Sequence, residues 1–180
     1  MEISELKPGI IAFYDLISVD DIKLINYFIE KASESDWNKF NSQDPNYSGH
    51  WDNRVLDLKH FYERKQLMEL EAIQTKVGDT VLKYLGKQYR SNDGIKLLLR
   101  ALPGHSMNIH IDDDSNGCKY GIVGYLNDDY EGGELVFPEL GITVNPKEHN
   151  LILFPSYFMY KHEVKPVISG TRYSLVTWLH

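Results

Sequence analysis

His110, Asp112 and His162 have the types and spacing of ligands for one metal ion, and Arg172 follows ten residues after the last of them. Two imidazoles and a carboxylate occupy one face of an octahedral ion and leave other positions open, a donor set suited to non-haem Fe(II). In a β-strand, side chains at i and i+2 share a face, so His110 and Asp112 project together. Asp113 and Asp114 extend the acidic run, and alternation places Asp114 on the same face as the strand ends. By itself His-x-Asp recurs by chance, and a solvated acidic turn beside an incidental histidine has the same letters. His162 opens Lys161-His162-Glu163-Val164 after the aromatic stretch Tyr157-Phe158-Met159-Tyr160, and in isolation it reads as an ordinary surface histidine. Arg172, just past Ser169-Gly170-Thr171, reads in isolation as a cation in a turn. In this order and together, they describe a metal with an open face and a fixed cation for a dicarboxylate.

Strands must carry these residues, and the second half of the chain supplies them. After Gly94 come short apolar runs at 95–102, 107–111, 120–126, 134–137, 142–144, 151–154, 162–164 and 173–179. Many of their residues are β-branched or aromatic, and Gly, Pro, Asn or Asp separate them, which predicts an antiparallel sandwich or barrel. The first half reads mostly as helix. Gly9-Ile10-Ile11-Ala12-Phe13-Tyr14 predicts a short strand, and Ser18-Val19-Asp20-Asp21 a capped helix start. Ile22, Ile25 and Ile29 carry that helix to about Ser33. Leu67, Leu70, Ile73, Val77, Val81, Leu82 and Leu85 mark a second amphipathic helix ending near Gly86. Between the helices, 37–60 is polar and turn-rich, which predicts a long loop with a short strand near Val55. Loops of that length are usually functional or mobile.

Composition narrows the class. The chain has 180 residues, 42% apolar and 12% aromatic, as a folded globular protein does. A net charge of −7 without any lysine- or arginine-dense patch argues against long nucleic acid as the main partner. Cys118 is the only cysteine, so no intramolecular disulfide forms. The start of the chain lacks the pattern of a signal peptide, and no apolar run has the length of a membrane span. The expectation is one soluble, cytoplasmic domain over 1–180, with 1–90 as helical support and candidate lid loop and 91–180 as the catalytic core.

The segment from about Leu97 to His180 resembles the catalytic domain of Fe(II)- and 2-oxoglutarate-dependent dioxygenases, specifically the prolyl 4-hydroxylase group. Beyond the His110, Asp112, His162 set, the resemblance is carried by Tyr125-Leu126-Asn127 and Gly132-Gly133-Glu134-Leu135-Val136-Phe137-Pro138. Val144-Asn145-Pro146-Lys147 with Asn150-Leu151-Ile152-Leu153-Phe154 continues it, and His162-Glu163-Val164-Lys165-Pro166-Val167 with Gly170-Thr171-Arg172-Tyr173-Ser174 closes it. Trp178 stands six residues beyond the arginine, as in the oxygen-sensing prolyl hydroxylases. Two features depart from the collagen-type enzymes. The stretch Ala101-Leu102-Pro103-Gly104-His105-Ser106-Met107-Asn108 lacks the tyrosines common there, and Arg172 stands where those enzymes use lysine.

The resemblance implies a mainly β fold, a double-stranded β-helix of jelly-roll type braced by N-terminal helices. It implies Fe(II) on His110, Asp112 and His162, with 2-oxoglutarate and O2 as co-substrates, and it adds ascorbate to the expected ligands. Arg172 is expected to hold the distal carboxylate of 2-oxoglutarate, helped by Tyr125 and Ser174, because a guanidinium fork suits a planar anion. Trp178 is expected to wall the pocket, and Trp51 and Arg54 of the polar loop to meet substrate. The expected reaction is hydroxylation of an unactivated carbon, best of a prolyl residue in a protein or peptide, with release of succinate and CO2. A hydroxylase of a free amino acid or small molecule, an oxidative nucleic-acid demethylase and a non-catalytic β-helix that binds a ligand are the alternatives.

Overall fold

The computed structural model describes residues 1–39, 54–56, 64–86, 97–112 and 117–180. The first half contains β1 (Glu2–Lys7), β2 (Ile10–Tyr14), α1 (Val19–Lys31), β3 (Trp37–Lys39), β4 (Arg54–Leu56) and α2 (Arg64–Tyr84). The second half begins with β5 (Leu97–Ala101), β6 (Met107–His110), β7 (Tyr120–Tyr125), β8 (Glu131–Gly132) and β9 (Leu135–Phe137). It ends with β10 (Ile142–Val144), β11 (Leu151–Pro155), β12 (His162–Val164), β13 (Val167–Ser169) and β14 (Arg172–Leu179).

These strands form an eight-stranded sheet, β1-β2-β11-β7-β14-β5-β4-β3, and a four-stranded sheet, β10-β9-β12-β6. A small ribbon joins β13 to β8. The chain passes back and forth between the two large sheets: β5, β7, β11 and β14 lie in one, β6, β9, β10 and β12 in the other. That winding is a double-stranded β-helix, as the sequence led us to expect. Val123, Tyr125, Ile152 and Phe154 from the larger sheet pack with Met107, Leu135, Phe137, Val144 and Val164 from the smaller one, filling the space between them.

The other face of the larger sheet needs a cover, because its strands are apolar on both sides. Ile22, Ile25 and Phe28 of α1 and Leu70, Ile73, Val77 and Val81 of α2 supply it, packed with Phe13, Ile122, Leu151, Leu153 and Leu175. The start of α1 has the capping box read from the sequence. Ser18 Oγ accepts from the Asp21 amide at 3.2 Å, and Asp21 Oδ2 accepts from the Ser18 amide at 2.8 Å. Lys76 of α2 reaches the same carboxylate and so ties the two helices.

The segment 37–60 contains β4, the short strand expected near Val55, but it opens with a further strand, β3, that was not expected. The two pair antiparallel and extend the larger sheet beyond β5. The physical reason is Trp37, whose indole is buried and lies 4.6 Å below the Arg100 guanidinium. Its burial anchors a strand where polar neighbours suggested an excursion. β1 is also a strand that the mixed, charged residues of the N-terminus did not indicate. Trp51 and the rest of the expected lid lie outside the described residues, as do Asp113 and Asp114.

Candidate metal and anion site

β6 and β12 run side by side with His162 opposite His110, which sets their ring centroids 4.3 Å apart. Asp112 follows just beyond β6, and its Oδ1 stands 3.4 Å from His110 Nε2 and 3.8 Å from His162 Nε2. The three ligand atoms all fall within 4.8 Å of one another. Donors about 2.1 Å from an octahedral ion, at right angles, are about 3 Å apart, so this spacing suits neighbours on one ion.

Each imidazole is oriented from behind. His110 Nδ1 lies 2.7 Å from the Asn108 carbonyl oxygen, and His162 Nδ1 lies 3.1 Å from that of Tyr160. A carbonyl only accepts, so each Nδ1 carries the proton and each Nε2 keeps its lone pair for the centre. Phe154 and Phe137 pack on the His162 ring, at 4.6 and 5.6 Å between centroids. Burial in that box pulls the His162 pKa down to about 4, and His110 adds to the fall while Asp112 opposes it. Burial pushes Asp112 the other way, yet His162, His110 and the Trp178 indole together hold it below the usual carboxylate range. The second carboxylate oxygen, Oδ2, rests over Gly121, where any Cβ would collide with it and with Phe154. Gly121 pairs with Trp178 across β7 and β14.

The triad opens into a pocket of about 460 Å³, solvent-connected space included, which Arg172 and Trp178 also line. Leu99, Met107, Val123, Leu135, Val164 and Val176 make the rest of its wall apolar. β14 explains the placement: Arg172, Ser174, Val176 and Trp178 alternate along it and share one face. Arg172 is only 3% exposed. Its Nη1 donates to Ser174 Oγ at 2.8 Å, while Nε has no acceptor among the described residues. Nor does a carboxylate among the described residues pair with it, and a buried, uncompensated cation is costly.

Two phenols share that condition. The hydroxyls of Tyr125 and Tyr130 are buried and have no hydrogen-bond partner among the described residues. The Arg172 guanidinium carbon lies 5.6 Å from the Tyr125 ring. Its charge works against burial on both phenols without either hydroxyl meeting hydrogen-bond geometry with it. Burial prevails, pushing the Tyr125 pKa up to about 12 and raising that of Tyr130 as well. Both therefore stay neutral and keep a proton to donate. Asn127 fixes the cation's backbone from both sides: its Nδ2 donates to the Thr171 carbonyl at 2.7 Å, and its Oδ1 accepts from the Tyr173 amide at 2.8 Å. The unpartnered Arg172 Nε and the two unpartnered phenols offer donors that fit a carboxylate such as the distal one of 2-oxoglutarate.

The structure thus brings His110, Asp112 and His162 together and sets Arg172 and Trp178 in the same pocket, with Tyr125 and Ser174 beside Arg172. Arg54 lies in β4, opposite Arg100 in the register. Tyr130 and the clamp made by Asn127 were not read from the sequence as parts of the site. Asn127 stood inside the quoted Tyr125-Leu126-Asn127 motif, but only the fold shows what its amide holds.

Comparison with known proteins agrees with this fold. Residues 97–180 match the family described as the 2OG-Fe(II) oxygenase superfamily. Human prolyl 3-hydroxylase 2 is 32% identical over 108 residues, 52% of this chain and 14% of that protein. The chain therefore matches only about one-seventh of the length of this relative. A viral collagen prolyl hydroxylase from Paramecium bursaria Chlorella virus-1, solved as a 2OG complex, superimposes with a TM-score of 0.64 at 17% identity, covering 95% of this chain and 94% of that one. A Trichoplax adhaerens prolyl hydroxylase, solved with a hypoxia inducible factor oxygen degradation domain peptide fragment, gives 0.70 at 18% identity, covering 95% and 83%. Both have the fold described above, and residues 97–180, which carry the site, are similar to the 2OG-Fe(II) oxygenase superfamily.

Proposed function

We propose that this chain is an Fe(II)- and 2-oxoglutarate-dependent oxygenase that hydroxylates a prolyl residue in a protein or peptide. The observation that carries the reading is the pairing of two incomplete sites in one pocket. A metal-spaced His110, Asp112 and His162 set shares an apolar cleft with Arg172, a buried cation lacking its anion. When bound, iron with 2-oxoglutarate and O2 supplies the oxidising chemistry, with succinate and CO2 as co-products.

The residues of this chain prepare for it. His110 and His162, each held at Nδ1 by a carbonyl, offer Nε2 without a proton to lose. Asp112 brings one negative charge beside them. Arg172, steadied by Ser174 and Asn127, takes the distal carboxylate, and the Tyr125 hydroxyl adds a donor. Val123, Val176 and Leu135 exclude water along the way, which strengthens the Arg172–carboxylate attraction. Trp178 donates to the Asp112 carboxylate and forms part of the pocket wall, and Trp51 and Arg54 are proposed to meet the substrate. The prolyl target is supported by the names of the relatives, a prolyl 3-hydroxylase and a prolyl hydroxylase crystallised on a peptide. Ascorbate, as a reductant that keeps the iron in its ferrous state, belongs to the same proposal.

The test is incubation with Fe(II), 2-oxoglutarate and proline-containing peptides, followed by mass spectrometry. The reading predicts succinate formation and a gain of one oxygen on proline. Oxygen gained only by free amino acids would replace the protein substrate with a small molecule, and no succinate under any condition would defeat the reading.

A further inference from the structure

Tyr130 packs beside Arg172 at the anion end of the site, and nothing in the metal site requires it. It sits on the turn after β7, beside the exposed Asp128 and Asp129, yet its hydroxyl is fully buried and has no partner among the described residues. Turn tyrosines ordinarily leave their hydroxyl in water, since burying it without a partner is unfavourable. Two glycines hold this one in. A Cβ on Gly133 would stand 3.1 Å from Tyr130 Cε2 and 2.9 Å from Arg172 Cδ, so the ring and the arginine stem meet across that glycine. A Cβ on Gly170 would stand 2.9 Å from Tyr130 Cβ, so the chain after β13 closes on the tyrosine from its other side. Both glycines have positive φ, +69° and +79°, which a residue with a side chain rarely adopts.

Counting donors shows what the arrangement awaits. Arg172 Nε, Tyr125 Oη and Tyr130 Oη are all buried and all unpartnered among the described residues. A carboxylate offers about four acceptor sites and accepts all three, whereas a methyl group accepts none and an amide turns two N–H donors toward them. We propose that Tyr130 is a specificity-determining residue, whose hydroxyl donates to the distal carboxylate of the co-substrate alongside Tyr125 and Arg172. The proposal rests on the 2-oxoglutarate reading above and extends it to a residue that no relative's name assigns.

Tyr130→Phe removes only the oxygen. The measurement is the dissociation constant of 2-oxoglutarate for the Mn(II)-loaded protein, taken by calorimetry, beside that of 2-oxovalerate, which lacks the distal carboxylate. Melting of the ligand-free protein is recorded in parallel. Loss of one hydrogen bond to a charged group is expected to weaken 2-oxoglutarate roughly tenfold in the variant. Binding of 2-oxovalerate is expected to be the same in both proteins, and ligand-free melting unchanged or slightly higher because an unsatisfied hydroxyl is gone. Equal 2-oxoglutarate affinity in the two proteins would overturn the proposal. So would a parallel loss for both keto acids with lowered melting, the pattern of a purely structural tyrosine. Failure of the unaltered protein to bind 2-oxoglutarate would instead defeat the underlying reading, and the Tyr130 proposal with it.

Discussion

Gly121 is where the Asp112 carboxylate meets the larger sheet, and a single methyl group there reaches both Asp112 Oδ2 and Phe154. Gly121→Ala is therefore expected to rotate the Asp112 side chain out of line with the two histidines and weaken Mn(II) binding tenfold or more, which titration calorimetry measures. The histidines make a second prediction, on pH. In the metal-free protein His162 has a pKa of about 4, against 6.5 for an unperturbed histidine. Between those values the unfolded chain binds more protons than the folded one, so stability falls as pH drops from about 6.5 toward 4. Asp112, lowered from 3.8, carries the loss further into acid. Urea midpoints across that range should fall with pH, and His162→Gln should flatten the slope; an unchanged slope would remove His162 as its source. At this scale the convergence of His110, Asp112 and His162 was legible because strand alternation and residue type point to it. Tyr130 was not, since Asp128-Asp129-Tyr130 reads as a solvated turn and only Gly133 and Gly170 show the ring turned inward.

Elements position these residues through a few local devices. Ser18→Ala removes the cap of α1 and is expected to cost about 1 kcal/mol of stability by urea unfolding, because one helix-end amide loses its acceptor. Asn127→Ala acts at the other end of the fold by freeing the peptide groups on either side of Arg172. Its expected effect is several-fold weaker 2-oxoglutarate binding with Mn(II) affinity unchanged, a split that separates the anion end from the metal end. α1, α2 and the eight core strands were legible from period and caps alone. β8 and β13 escaped because they are two and three residues long and exist only as each other's partner. β4 is the short strand expected near Val55, whereas β3 escaped for a related reason: its pairing closes over a long polar interval, and what holds it is the burial of Trp37 under Arg100, a contact distant in sequence.

Across the whole molecule, two apolar clusters divide the labour. One binds the helices to the outer face of the larger sheet, and the other fills the space between the sheets, with His162 and Arg172 buried near its edge. Rigid walls let the pocket hold a cation without its anion, because collapse around Arg172 would break the packing of both sheets. The sequence could indicate the winding, since its strand lengths and breaks resemble those of a known family. It could not indicate how the orphaned donors converge, which depends on long-range packing. The central claim is that one pocket binds Fe(II) and 2-oxoglutarate together. Its most direct test is anaerobic absorption spectroscopy of the protein with both added. A metal-to-ligand charge-transfer band that disappears in His110→Ala is the predicted result, and no band in the unaltered protein would contradict the account.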